Sequence, residues 1–113
     1  MSDCIFCKIV DGEIPSTKVY EDDKILAFKD LNPQAPIHVL VIPKNHISFL
    51  DDLNAENCEV VGYIFSKIPE IAKDLGLEKG YRVVSNCKEH GCQSVFHIHF
   101  HILGGKQLNG EMA

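Results

Sequence analysis

Apolar positions fall into short, separate patterns along the chain. Cys4-Ile5-Phe6-Cys7-Lys8-Ile9 is spaced for one helical turn, which Asp11-Gly12-Glu13-Ile14-Pro15 breaks. Lys18-Val19-Tyr20-Glu21 predicts a short strand. Asp22-Asp23 then makes a turn, and Lys24 to Lys29 pairs back as the second strand of a hairpin. Asn32-Pro33-Gln34-Ala35-Pro36 reads as a loop, because each proline fixes φ and removes a backbone donor. The dense run His38-Val39-Leu40-Val41-Ile42-Pro43 predicts a central strand that Pro43 ends.

Further on the period changes from two to 3.6. Asn54 is the expected N-cap, with Glu56 in the first turn where a negative charge suits the helix dipole. Val61, Ile64, Phe65, Ile68, Ile71, Ala72 and Leu75 then form one apolar face, and Gly76 fits the stop. Pro69 lies inside this pattern and is expected to kink or split the helix near Phe65. Tyr81 to Val84 predicts a fourth strand and Val95 to Leu103 a fifth, ended by Gly104-Gly105. The fold class expected is α+β: a five-stranded, mostly antiparallel sheet with one long helix and a short N-terminal helical turn.

Composition narrows the possibilities. A chain of 113 residues fits a single domain spanning residues 1–113. With a formal charge of −5 there is no basic face for nucleic acid or an anionic membrane, so any phosphate recognition must be local. No signal peptide or long apolar run is visible, and five cysteines do not make a paired extracellular framework. A cytoplasmic setting with reduced thiols is expected.

Candidate chemistry concentrates in Val95-Phe96-His97-Ile98-His99-Phe100-His101-Ile102-Leu103. Strand alternation puts His97, His99 and His101 on one face and Phe96, Ile98, Phe100 and Ile102 on the other. Three imidazoles in a row suit either nucleophilic catalysis or metal binding. Cys4-x-x-Cys7 is open between zinc, a redox pair and two core thiols, though a redox pair normally follows a strand. Tetrahedral zinc needs two further ligands, for which His46 and one histidine of the triple are candidates. The loop Asn86-Cys87-Lys88-Glu89-His90-Gly91-Cys92-Gln93-Ser94 can present backbone N–H groups and a hydroxyl to an anion. Asp30 suits either ribose hydroxyls or the capping of its own turn.

His97-Ile98-His99-Phe100-His101-Ile102-Leu103 matches the His-φ-His-φ-His-φ-φ pattern (φ apolar) of the histidine triad superfamily. Phe6, Glu13-Ile14-Pro15, Tyr20-Glu21-Asp22, Ala27-Phe28, Pro33-Gln34-Ala35-Pro36, Leu40-Val41-Ile42-Pro43-Lys44, His46-Ile47, Asp74-Leu75-Gly76, Gly80-Tyr81-Arg82 and Gln93-Ser94-Val95 extend the likeness over nearly the whole chain. It resembles the nucleotide-binding (Hint) branch. The resemblance implies a purine nucleoside phosphoramidase that works through a nucleotidyl-histidine and releases a nucleoside monophosphate. It implies His99 as nucleophile, His101 and Ser94 on the phosphate and leaving group, and His38 supporting the histidines. It implies a base pocket of Ile5, Phe6, Ile9, Phe28, Leu31 and Leu40. Asp30 would take the ribose, and Asn86, Cys92, Gln93 and Ser94 would meet the phosphate. Cys4, Cys7, His46 and His97 resemble the ligands of a structural zinc in zinc-containing members, with no organic cofactor. The implied partners are a purine nucleotide, AMP or GMP or their phosphoramidates, and a second copy of the chain as a homodimer. A dinucleoside polyphosphate hydrolase and a non-catalytic zinc-stabilised binding module are the alternatives.

Three positions depart from the family pattern. Cys92 stands where glycine is common, so its Cβ is expected to crowd the phosphate or change the backbone angle. Pro69 has no usual counterpart. The tail Gly105 to Ala113 lacks the aromatic residue that some relatives place near the partner's site.

Overall fold

The structure, a computed structural model, describes residues 3–113. A short helix α1 (Ile5–Val10) leads into β1 (Lys18–Glu21), β2 (Ile25–Lys29) and β3 (Ile37–Pro43). A 3₁₀ turn (Leu50–Asp52) precedes the long helix α2 (Glu59–Asp74), and β4 (Tyr81–Val84) and β5 (Phe100–Gly104) complete the sheet. Every neighbouring pair is antiparallel in the order β1-β2-β3-β5-β4. The chain therefore does not simply meander. β5 enters between β3 and β4, which puts His101 opposite Leu40 of the central strand rather than on an edge.

The two faces of the sheet carry different loads. Ile25, Ala27, Val39, Val41, Ile98, Phe100 and Ile102 pack with Ile64, Ile68, Ile71 and Ala72 of α2. Leu26, Phe28, Leu40 and Ile42 turn the other way, onto Phe6 and Ile9 of α1. With both faces covered, β3 is buried from His38 to Pro43, which is why its sequence is a continuous apolar run without alternation. Each fully buried isoleucine of α2 contributes about 1.5–3 kcal/mol of transfer free energy.

Helix α2 begins later than the sequence suggests. Asn54 does cap, but it caps a preceding turn: its Oδ1 accepts from the N–H groups of Glu56 and Asn57 at 2.9 and 3.0 Å. The helix proper starts at Glu59. Pro69 does not split it. The helix runs unbroken through Pro69, and both Pro69 and Phe65, whose carbonyl loses its partner, are on the exposed side, where water can take that bond. At the C-terminus Gly76 has φ +78°. Its N–H donates to Lys73 O and that of Leu77 to Ala72 O, both at 3.0 Å, so the turn closes as a Schellman cap.

The fifth strand is also shorter than expected. It starts at Phe100, and residues 95–99 are an irregular approach to it. Ile98, Phe100 and Ile102 do face the core, but Phe96 is 58% exposed and packs on Phe49, ring centroids 5.2 Å apart. Ladder pairing ends before Phe96 because Ile98 N–H donates to Ile47 O at 2.7 Å, outside the sheet.

Candidate functional site

The chemistry lies on the α1 face. Alternation along β3 and β5 sends His38 and His101 to the side that carries Leu40 and Ile42. Phe6, on the buried side of α1, meets the rings of Phe28, His97 and His99 edge-on at 5.6, 5.9 and 5.1 Å. One aromatic ring thus supports both His97 and His99.

His97 is fully buried and fixed at both ring nitrogens. Its Nε2 is 2.8 Å from Pro43 O; a carbonyl only accepts, so Nε2 carries the proton. The lone pair on Nδ1 then points at Cys4 Sγ (3.4 Å) and Cys7 Sγ (3.6 Å). His46 brings Nδ1 to 3.3 Å from Cys7 Sγ while its Nε2 contacts Ser48 Oγ at 3.0 Å. The four ligand atoms of Cys4, Cys7, His46 and His97 all lie within 4.8 Å of one another. Zinc bonds of 2.0–2.3 Å in a tetrahedron require ligand separations of roughly 3.3–3.8 Å. These three separations fall in that window, so two thiolates and two imidazoles fit the metal.

His99 is buried, with Nδ1 2.8 Å from the backbone carbonyl of His97. By the same reasoning Nδ1 is protonated and Nε2 carries the lone pair. Its own carbonyl accepts from Ser85 Oγ at 3.1 Å, a contact with no sequence signal beyond a serine just after β4. The His101 ring stands 5.1 Å from that of His99, and its Nδ1 lies 2.8 Å from His38 Nε2. Asp30 has a double role: Oδ1 accepts from Asn32 N–H at 2.8 Å, and Oδ2 lies 3.4 Å from His38 Nε2.

Burial dominates the electrostatics. Desolvation pushes His97 and His101 down to about 4, and neighbouring imidazoles add to the effect. His99 is also lowered by burial, against its bond to the His97 carbonyl and the charge of Asp30. His38 is lowered by burial despite Asp30. All four rings are neutral at pH 7, so the His38–Asp30 contact is not an ion pair.

The loop from Asn86 to Ser94 is strongly braced. Gln93 is buried; its Oε1 accepts from Lys88 N–H at 2.8 Å, and its Nε2 donates to Ser48 O (2.8 Å) and Val95 O (2.9 Å). Asn86 Nδ2 donates to Gly91 O at 2.6 Å, and a Cβ on Gly91 would lie 2.5 Å from Cys87 O. The Gln93 side chain is therefore fully engaged, partly outside the loop, while Asn86 spends one amide hydrogen within it. Cys92 keeps φ +62°, the left-handed angle a glycine would take, with its side chain exposed. Ser94 is exposed at the end of the loop. Among the expected pocket residues Phe6, Ile9, Phe28 and Leu40 are buried together, while Ile5 is 45% and Leu31 96% exposed. A separate cleft of about 670 Å³ between Gly76–Arg82 and Gly105–Leu108 contains none of the histidines.

Residues 3–112 match the family described as "Scavenger mRNA decapping enzyme C-term binding". The chain is 53% identical over 110 residues to the "14 kDa zinc-binding protein" of Zea mays, covering 96% of this chain and 86% of that protein. It is 46% identical to "Adenylylsulfatase HINT1" of Arabidopsis thaliana, over 96% of this chain and 75% of that protein. A HIT family hydrolase from Legionella pneumophila superposes with a TM-score of 0.92 at 49% identity, covering 96% of this chain and 97% of that one. With its three histidines in pattern on one sheet face and these relatives along its length, the chain belongs to the histidine triad (HIT) superfamily, in its Hint-like branch.

Proposed function

We propose that this protein is a nucleotide hydrolase of the purine nucleoside 5′-phosphoramidase type, acting at the α-phosphate. The observation that carries this reading is His99: a neutral imidazole whose Nδ1–H is held by the His97 carbonyl, leaving the Nε2 lone pair to react. Neutral imidazole attacks phosphorus without a separate base. The Nε2–P bond forms as the P–N bond to the amine breaks, and the bonding pair leaves on the amine nitrogen, which takes up one proton. Water then attacks phosphorus, the P–Nε2 bond breaks, and the nucleoside monophosphate is released. The positive charge that His99 acquires in the intermediate is met by the His97 carbonyl at Nδ1.

The same reading assigns the site roles. Phe6, Ile9, Phe28 and Leu40, extended by Ile5 and Leu31, offer an apolar slot for a purine. Asp30 is assigned to the ribose hydroxyls, and Ser94 and His101 to the phosphate and leaving group. The Ser94 N–H and the second amide hydrogen of Asn86 are assigned to the remaining phosphate oxygens, since the N–H groups of Cys92 and Gln93 donate to Glu89 O and Lys88 O. Zinc is assigned to Cys4, Cys7, His46 and His97; when bound it cross-links α1 to the approach of β5, and four protein ligands leave it no open position. Both cysteines bind it only as thiolates, which suits a reducing compartment such as the cytoplasm. No helix is long and apolar enough to cross a membrane among the described residues. A homodimer is assigned to the face bearing exposed Phe65 and Tyr81.

Mixing the protein with an adenosine 5′-phosphoramidate, quenching, and weighing the intact chain tests the reading. A nucleotidyl adduct is expected on the wild type, and His99→Ala should lose both adduct and turnover while still binding AMP. Hydrolysis undiminished in His99→Ala would overturn it. Parallel rates on diadenosine polyphosphate and adenylyl sulfate rank the leaving groups for the same attack.

A further inference from the structure

The Asn32–Pro36 loop is a plain connector in the sequence, yet its backbone reaches the histidines. Gln34 N–H donates to His38 Nδ1 at 3.0 Å. An amide N–H only donates, so His38 Nδ1 must hold a lone pair and the single ring proton sits on Nε2. That Nε2 is 2.8 Å from His101 Nδ1 and 3.4 Å from Asp30 Oδ2. At the shorter distance Nε2–H donates to His101 Nδ1, which makes that atom an acceptor and puts the proton of His101 on its own Nε2. His99, one ring away, is set the opposite way by the His97 carbonyl.

We infer that the Gln34 backbone N–H is a positioning group that fixes the tautomers of His38 and His101, so that His101 presents an N–H where His99 presents a lone pair. Two adjacent imidazoles thereby acquire different jobs. His99 attacks, and His101 donates a hydrogen bond to the phosphoryl oxygen and leaving group. The clamp has a second effect. His38 has no site for another proton while Gln34 N–H occupies Nδ1, so a proton surrendered by His101 could be replaced through His38 only by leaving an imidazolate. His101 therefore keeps its proton through the step. The departing amine takes its proton from the water that goes on, as hydroxide, to attack phosphorus and displace His99 Nε2, and the proton count closes.

The consequence for turnover rests on the hydrolase reading; the tautomer assignment does not. Long-range proton–nitrogen NMR of uniformly ¹⁵N-labelled, zinc-loaded wild-type protein at pH 7.5 reads each ring directly. The expected pattern is Nε2–H on His38 and His101 and Nδ1–H on His99. A proton on His38 Nδ1 would overturn the inference, whatever any variant does. Gln34→Pro removes this donor, and with it the side-chain bond from Gln34 Nε2 to Asn32 O, from an already proline-flanked loop. It should give mixed tautomers at His38 and lower kcat on a phosphoramidate about tenfold with little change in KM, the loss of roughly one hydrogen bond. Gln34→Ala keeps the N–H and should keep the wild-type imidazole pattern. An unaltered tautomer pattern in folded Gln34→Pro also overturns it. Correct tautomers in a wild type that forms no adduct would instead sink the hydrolase reading and leave the clamp standing.

Discussion

Single backbone groups set the properties of single side chains here. The carbonyls of Pro43 and His97 and the amide of Gln34 decide which nitrogen of His97, His99 and His38 is protonated. Sequence spacing put the three imidazoles on one face, but it could not distinguish them, since a tautomer depends on what stands opposite each nitrogen. Cys92 is another local case. It keeps φ +62°, a left-handed angle that costs a side chain about 1–2 kcal/mol, and of the two expected effects of its Cβ the backbone change does not occur in φ. Burial of His101 has a consequence for pH. Its folded value, about 4, is below the 6.5 of an unfolded histidine, so the unfolded chain binds the proton first as pH falls. The stabilisation is full above pH 6.5 and is lost progressively down to about pH 4. A melting temperature that declines across that window is expected, with a shallower decline in His101→Asn; a flat profile in the wild type would contradict the buried, neutral ring.

At the level of elements, the loop from Asn86 to Ser94 is tied to the segment between β3 and α2. Gln93 bridges to Ser48 O, Lys88 Nζ meets Asp51 Oδ2 at 2.6 Å, and Ile98 N–H reaches Ile47 O. His46 is in the same segment, so the candidate metal ligand and this loop share one scaffold. The exposed Lys88–Asp51 pair adds little, whereas buried Gln93 satisfies three backbone groups. Gln93→Leu should cost about 2–4 kcal/mol in urea unfolding, because an apolar side chain leaves those groups without partners. A loss below 0.5 kcal/mol would mean that they find other partners. Nothing in the sequence pattern marks this brace, since a glutamine in a polar loop reads the same whether buried or exposed. The uninterrupted α2 has a similar origin. Pro69 reads as a break, and only the exposed side it shares with Phe65 makes the lost hydrogen bond tolerable.

Over the whole molecule, the candidate metal ligands come from parts distant in the chain: Cys4 and Cys7 at one end, His46 after β3, His97 before β5. A bound zinc closes those loops and stabilises the folded chain by roughly 4 kcal/mol when free metal exceeds the dissociation constant a thousandfold. Stoichiometric zinc in the wild type and its loss in Cys4→Ser/Cys7→Ser are expected by metal analysis. That variant should also melt lower, with proteolysis beginning near α1. Full zinc retention would refute this ligand set.

The sequence by itself determined the elements, because helix and strand periods are local, and it determined the candidate chemistry, because His-x-His-x-His and Cys-x-x-Cys are uncommon spacings. It also carried the family, since the likeness runs almost end to end. Only the tertiary structure decided that β5 lies between β3 and β4, that Phe96 leaves the core, and that an amide in a proline loop reaches His38. The physical reason is common to all three. Strand order, burial and hydrogen-bond partners depend on residues far apart in the chain, and local periodicity contains no term for them.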